Sequence, residues 1–480
     1  MARIQMKARS FTGARMPLRA EQSFRAINSA LRSALGRIEE GDHPGRRRRG
    51  IVQGFVTGLG SRGVGFLVSF LSVPLTIGYL GRERYGIWIL LSSLLAWVRL
   101  TDLGISNGLR SAIASALGSG RPDLARAHIS TAFALLSTIA AVVGLITAVA
   151  WPWIDWVALF GITSEDARAE VGPAIATSFG FFLLVFPLSI TSVTYEALQE
   201  GKLQNYWGMV GNIASLVALI VVTRTHGSLV RLVLAVSGTG LIVNVLSGVW
   251  LFGRYKPLFA PRPQAVQISS ARRLLQAGGT FFLIQIVALT VFQTGNFIVA
   301  KFTGSASVPS YSLTYTLFSY SYLPQTILFN YLWVAYADAI ARRDIGWVAR
   351  TLKRNLSFSL GFTLAAVVPL IFIARPFIRF WTRDAVVPPV DLVSWMAAWS
   401  MINAFCTPIA CLLAAADHMK AQLVYSAVAA AVGIVLSIML IKSWGVTGVI
   451  AGTVIAYMIF ICFPCAIDTL LLLRKLRNEL

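Results

Sequence analysis

The chain has 480 residues, 56% hydrophobic and 13% charged, with a mean hydropathy of +0.69. A soluble domain carries about twice that share of charge, so a large water-soluble globule is excluded. The net charge of +22 sits in the N-terminal tail and in short segments between apolar runs, a placement that sets membrane topology and does not build a nucleic-acid surface.

Residues 1–50 form a basic tail that holds twelve of the 42 Lys and Arg and ends in Arg46–Arg49. No apolar run of signal-peptide type precedes the first long span, so no cleavage is expected. Phe24, Ile27, Leu31, Leu35 and Ile38 recur at helical spacing, which reads as a short amphipathic helix over 23–39 lying on the membrane surface.

Twelve apolar runs follow, at 52–79, 85–107, 128–150, 171–194, 206–223, 229–251, 278–300, 311–335, 355–374, 391–413, 422–441 and 446–470. Each is close to the roughly 20 residues that a helix needs to cross a bilayer. The runs are continuously apolar, so they read as helices and not as alternating barrel strands. The fold class expected is an all-α polytopic membrane protein. With an even number of spans both termini share a side. If that side is the cytoplasm, the inner loops and tails hold thirty Lys and Arg and the outer loops ten, as the positive-inside rule requires. The longest loop, 253–277, is basic and divides the chain into residues 51–252 (spans 1–6) and 278–470 (spans 7–12), with a short cytoplasmic tail at 471–480. Six spans and six spans suggest two bundles around a central cavity, the usual plan of an alternating-access transporter.

The first two spans, Gly63–Leu80 and Tyr85–Val98, are joined by the polar turn Gly81–Arg84. Arg62 lies about 16 Å along the helix from Ile51. An arginine at that depth costs at least about 2.5–3.5 kcal/mol, so it should face a hydrated or protein-lined cavity. Its forked guanidinium suits a phosphate group. Arg99 and Asp102, three residues apart, share a helix face and are able to pair near the inner interface; Asp102 is also a candidate for coupling. Spans 7 and 8 are unusually polar. Gln285, Gln293, Asn296, Tyr315, Tyr322 and Gln325 are candidate glycan contacts, since amide groups and aromatic faces suit sugars, and Pro324 is expected to bend span 8.

Four cysteines, Cys406, Cys411, Cys462 and Cys465, fall inside apolar runs, where buried thiols are normally inert, although Cys462–Cys465 have redox spacing. The four histidines show no ligand spacing, so neither metal nor cofactor is expected. There is no phosphate-binding GK[ST] loop and no outer loop with paired carboxylates, which removes an ATPase and weakens a membrane glycosyltransferase.

SRGVGF at Ser61–Phe66, VPLTIGYLGRERYGIW at Val73–Trp88 and DLGISNGLR at Asp102–Arg110 resemble the opening of bacterial polysaccharide-export flippases. These belong to the multidrug/oligosaccharidyl-lipid/polysaccharide exporter superfamily and include the O-antigen type. The SR-x-x-GF pattern is also similar to the first span of lipid II flippases, and YEALQEGKLQNY at Tyr195–Tyr206 is similar to the family's inner loop after span 4. The resemblance implies two six-helix lobes in a V, alternating access, and a lipid diphosphate-linked oligosaccharide carried across the bacterial inner membrane. It implies Arg62 as the contact for the diphosphate and says less about Arg99 and Asp102, whose DLG turn is open to a structural role; Arg99 is kept as a second candidate diphosphate contact, and a glycan polymerase and glycosyltransferases are the expected partners. A cation-coupled multidrug or small-solute antiporter of the same fold is the alternative. A membrane enzyme or scaffold of glycan assembly is a third reading.

Overall fold

The computed structural model describes residues 44–416 and 418–478, and all regular structure among them is helical. In a bilayer every backbone N–H and C=O must be satisfied within the protein, and a helix does this within one segment. The amphipathic helix expected over 23–39 lies outside the described residues.

Helix α1 (Pro44–Val98) is one assigned stretch of 55 residues, broken by Gly81 at φ 75°, ψ 174° into two antiparallel legs. A left-handed φ there is open to glycine at little cost, and it lets the chain reverse. The helix begins at Pro44, so the arginines 46–49 lie on its first turns. Leu103 and Gly104, at φ 51° and 76°, turn the chain into α2 (Ile105–Gly118). Then come α3 (Pro122–Ala150), α4 (Trp156–Phe160), α5 (Glu165–Leu188), α6 (Ile190–Ala197), α7 (Gly201–Val222) and α8 (Leu229–Val249). The second half holds α9 (Ile268–Thr303), α10 (Val308–Ser319), α11 (Leu323–Ala341), α12 (Ile345–Trp381), α13 (Val390–Ala415), α14 (Met419–Trp444), α15 (Val446–Tyr457) and α16 (Phe463–Asn478).

All twelve apolar runs fall on these helices. Nine stretches among the described residues are long and apolar enough to cross a membrane, the first taking in both legs of α1. Span 8 is interrupted rather than bent. Tyr320–Tyr322 form a 3-10 turn, and Pro324 becomes the second residue of α11, where its missing N–H costs no helical bond.

The packing differs at the two ends of the molecule. Both termini of the helical body lie at the near end, and the turn Gly81–Arg84 lies at the far end. At the far end one apolar cluster spans both halves of the chain, with Ile87, Leu90, Ile175 and Leu232 from the first and Val299, Phe318, Met396 and Ile450 from the second. At the near end there are two clusters. One is built on Ile105, Leu109, Ile129, Ile190 and Val193, with Leu274 of α9, and the other on Tyr336, Val348, Leu352 and Leu412.

The linker 253–277 is not a free loop. Arg126 donates to the Leu258 carbonyl. The backbone N–H groups of Arg262 and Gln267 donate to Ser130 Oγ and Thr131 Oγ1, both at 3.0 Å. These bonds hold the linker on α3, and α9 starts ten residues earlier than the hydropathy indicates.

In the second half, Gly448 of α15 lies against the backbone of α14, where an added Cβ would sit 2.6 Å from the Ile441 nitrogen. Gly448→Ala should therefore force the helices apart and cost about 1–3 kcal/mol, the usual penalty of overpacking. Gly361, with nothing within 4 Å of an added Cβ, is the control. Thermal unfolding in detergent should show Gly448→Ala well below the wild type and Gly361→Ala close to it.

Candidate functional site

The first leg of α1 uses two stripes of its surface differently. Gly58, Ser61 and Gly65 face α7, close to Asn205, Gly208 and Asn212, and Asn205 Nδ2 donates to Thr57 Oγ1 at 3.2 Å. Phe66 and Ser69 face the second half. The Phe66 ring meets Tyr320 edge-on at 5.0 Å, and the Tyr320 hydroxyl bonds Ser69. One turn further out, Phe70 stacks on Trp381 at 5.2 Å, and Trp381 Nε1 donates to the Phe70 carbonyl at 2.8 Å.

Residues spaced three and four apart share a helix face, so Arg62 is in line with Phe66 and Ser69. It lies about 6 Å nearer the termini than Phe66. From Phe66 to the far end this stripe is met by the second half. At Arg62 it is exposed, and no ion pair or hydrogen bond to the guanidinium is found among the described residues. Gly60 and Gly63 beside it have nothing within 4 Å of an added Cβ. Arg62 is therefore exposed, one turn nearer the termini than the residues of this stripe that meet the second half.

The pairing expected of Arg99 and Asp102 is not formed. Both lie in a 3-10 turn; Arg99 is exposed and Asp102 half-buried. The Asp102 carboxylate instead accepts from the Ser106 backbone N–H at 3.2 and 3.3 Å and from its hydroxyl at 3.3 Å. It caps α2, where an anion meets the positive end of the helix dipole. Near the same end Arg110 pairs with Glu196, which also accepts from Gln204 Nε2 at 2.7 Å.

The polar residues of spans 7 and 8 separate in the same way. Gln285 is exposed and Gln293 half-buried. Asn296 is buried and donates to Ser93 Oγ at 3.0 Å, tying α9 to the second leg of α1. Gln325 is buried and donates to Thr363 Oγ1 at 2.7 Å and the Ser359 carbonyl at 3.3 Å, tying α11 to α12. Tyr315 and Tyr322 bond each other beside Trp399. These four spend polar groups on helix packing, which a count along the sequence does not reveal. Cys462 lies 3.0 Å from Cys406 of α13, so the Cys462–Cys465 spacing does not describe the thiol contact, and all four cysteines are free.

The turn Gly81–Arg84, read above only as a polar connection, makes the most contacts of any turn at the far end. Glu83 Oε1 accepts from the Thr163 N–H at 2.7 Å, the Thr163 hydroxyl at 2.9 Å and the Ser164 N–H at 3.3 Å, at the N-terminus of α5. Arg84 lies 3.6 Å from both Asp166 and Glu170. Arg82 Nε donates to the Ala306 carbonyl of the second half at 2.6 Å. Glu83 is outside the apolar runs. Partial burial alone would raise its pKa, but the hydrogen bonds from Ser164 and Thr163 outweigh this and hold it below the ordinary carboxylate value.

A carboxyl held low stabilises the fold above the ordinary carboxylate range and loses that contribution as pH falls through the lowered value. Thermal unfolding of the wild type should therefore weaken on acidification, and Glu83→Gln should flatten that dependence at a cost of about 1 kcal/mol near neutral pH. At the near end, Asp102→Ala should cost about 1 kcal/mol through loss of the cap, whereas Asp102→Asn should keep stability. Loss of transport in a stable Asp102→Asn protein would assign Asp102 to coupling instead.

No family model matches the chain. It is 19% identical over 397 residues to a Salmonella typhi protein provisionally named an O-antigen transporter, covering 81% of this chain and 89% of that one. It is 21% identical over 427 residues to a Yersinia pseudotuberculosis protein provisionally named an O-antigen export protein, covering 83% and 91%. Among solved structures, a multidrug resistance MATE family transporter of the MOP superfamily superposes with a TM-score of 0.76 in its inward-facing conformation, at 13% identity over 86% of this chain and 96% of that one. The outward-facing conformation of a MATE transporter gives 0.61 at 12% identity, over 89% and 96%. The chain thus has the fold of the MOP-superfamily transporters and resembles, over about four-fifths of its length, proteins named for O-antigen transport and export.

Proposed function

We propose that this protein is a flippase that carries a lipid diphosphate-linked oligosaccharide across the cytoplasmic membrane for surface polysaccharide assembly. The observation that carries the reading is Arg62, a cation left without a protein partner among the described residues, on the stripe of α1 whose outer residues meet the second half. Arg62 is exposed, and its guanidinium is open to an anion. A diphosphate supplies oxygens that the guanidinium fork can take in pairs. The glycan would occupy the opening between the halves while the lipid tail stays in the bilayer. Arg99, exposed at the near end, stands where an arriving diphosphate first meets the protein. The near end, which carries most of the Lys and Arg, is the cytoplasmic side by the positive-inside rule. The halves α1–α8 and α9–α16 act as two lobes, and a glycan polymerase and glycosyltransferases would work on either side of the step.

Exchange of a small cation or drug is the other transport reading that the fold allows. Of the acids at the near end, Asp102 caps α2, and Glu196 and Asp338 are paired with Arg110 and Arg342. Arg62 has no such partner among the described residues, and this favours the anionic substrate.

In a strain whose surface polysaccharide depends on this protein, Arg62→Ala should abolish the polysaccharide while the protein inserts at wild-type level. Arg62→Lys, which keeps charge but loses the fork, should leave partial export. Normal polysaccharide from Arg62→Ala would remove Arg62 from the substrate site.

A further inference from the structure

Beside the shared apolar cluster, the two halves also meet at the far end through a seam of backbone against backbone. The segment Ala300–Ala306 of the second half threads between the second leg of α1 and the α4–α5 loop. The Ser305 N–H donates to the Gly161 carbonyl at 3.0 Å. The Ser305 carbonyl lies directly over Gly86, and the Ala300 carbonyl lies directly over Gly161, each where a Cβ on the glycine would stand. Gly161 also has φ 59°, so a side chain there would be strained in either conformation. Gly86 carries no such restriction, and its only bar to a methyl group is the opposing half. Arg82 closes the edge of the seam on the Ala306 carbonyl.

We propose that this seam, Gly86 against Ser305 and Gly161 against Ala300, is the far-end closure of the transporter, and that it parts when the opening between the halves turns to the opposite face. The inference rests on the transporter reading and not on the substrate assigned above. At the two glycines no side chain stands between the backbones, so they approach closely beside the shared apolar cluster. The seam holds through close carbonyl contacts and three hydrogen bonds, from the Ser305 N–H and hydroxyl to the Gly161 carbonyl and from Arg82 Nε to the Ala306 carbonyl, each modest on its own. Its strength depends on how near the two backbones approach. A methyl group at Gly86 meets an obstacle only while the seam is closed, so it shifts the population toward the open far end by its difference in energy between the two states.

The test measures distance across the far end in purified full-length protein in nanodiscs, without substrate. The four cysteines are replaced by alanine, and spin labels are placed at Arg224→Cys and Lys442→Cys, both exposed far-end positions of opposite halves. Gly86→Ala should increase the long-distance population by on the order of tenfold over the unsubstituted pair. Gly78→Ala, on the first leg with nothing within 4 Å of an added Cβ, should leave the distribution unchanged. Arg82→Ala, which removes a tie without adding volume, should shift it in the same direction by a smaller amount and carries the test if Gly86→Ala does not fold. A folded Gly86→Ala protein with the unsubstituted distribution overturns the proposal, as does an unchanged Arg82→Ala distribution where Gly86→Ala is lost. Normal export by Arg62→Ala alongside a shifted Gly86→Ala distribution would sink the substrate reading and leave the seam standing.

Discussion

The molecule depends on an unequal division of its apolar core. At the far end, residues from both halves share one cluster, while at the near end each half buries its own. Apolar burial is the main force available to hold side chains together where water can reach them, so a shared core joins the halves and divided cores let them part. The opening between the halves follows from this division, and Arg62 is exposed on the stripe of α1 whose outer residues Phe66 and Phe70 meet Tyr320 and Trp381. The shape is set by where Phe66, Phe70 and Trp381 meet, and it needs no special hinge at the near end.

The same division explains the fate of the charged and polar groups. Where helices pack closely, a polar side chain must find a partner or lose several kcal/mol. Asn296, Gln325 and Asp102 have done so, each on a neighbour that the fold brings to it. Arg62 has none among the described residues, and it stands where the halves have separated. On the proposed function, that position would give an anionic headgroup a place to settle.

Much of this was legible in the sequence. Continuous apolar runs marked the nine stretches that are long and apolar enough to span a membrane among the described residues, because lipid leaves no alternation to confuse the reading. What the sequence hid were choices of direction. Asn296 and Ser93 are 203 positions apart, and no periodicity tells whether an amide in an apolar helix faces a cavity or a neighbour. The Arg99–Asp102 spacing predicted a pair on one helix face, but the chain leaves the α-helix at Val98 and Leu103 turns left-handed. Asp102 then lies four residues before Ser106, at the start of the next helix. The far-end seam was hidden for the same reason. Gly86 is one of 39 glycines, and only the fold shows that a carbonyl more than two hundred residues away rests on it.

Helix α9 belongs to both divisions at once. Its first turns are fixed on the first half, through Gln267 on Thr131 and Leu274 in that half's own core. Its last turns lie in the shared core against α14 and α15. It is a diagonal strut with its feet in different halves, so any relative rotation of the halves loads it as a beam. Between its two anchorages stand Gly278 and Gly279, a pair of residues that each lower helix stability by about 1 kcal/mol relative to alanine. Hydropathy alone describes this helix as one more crossing of the membrane, yet its glycine pair is where its two anchorages are joined most weakly.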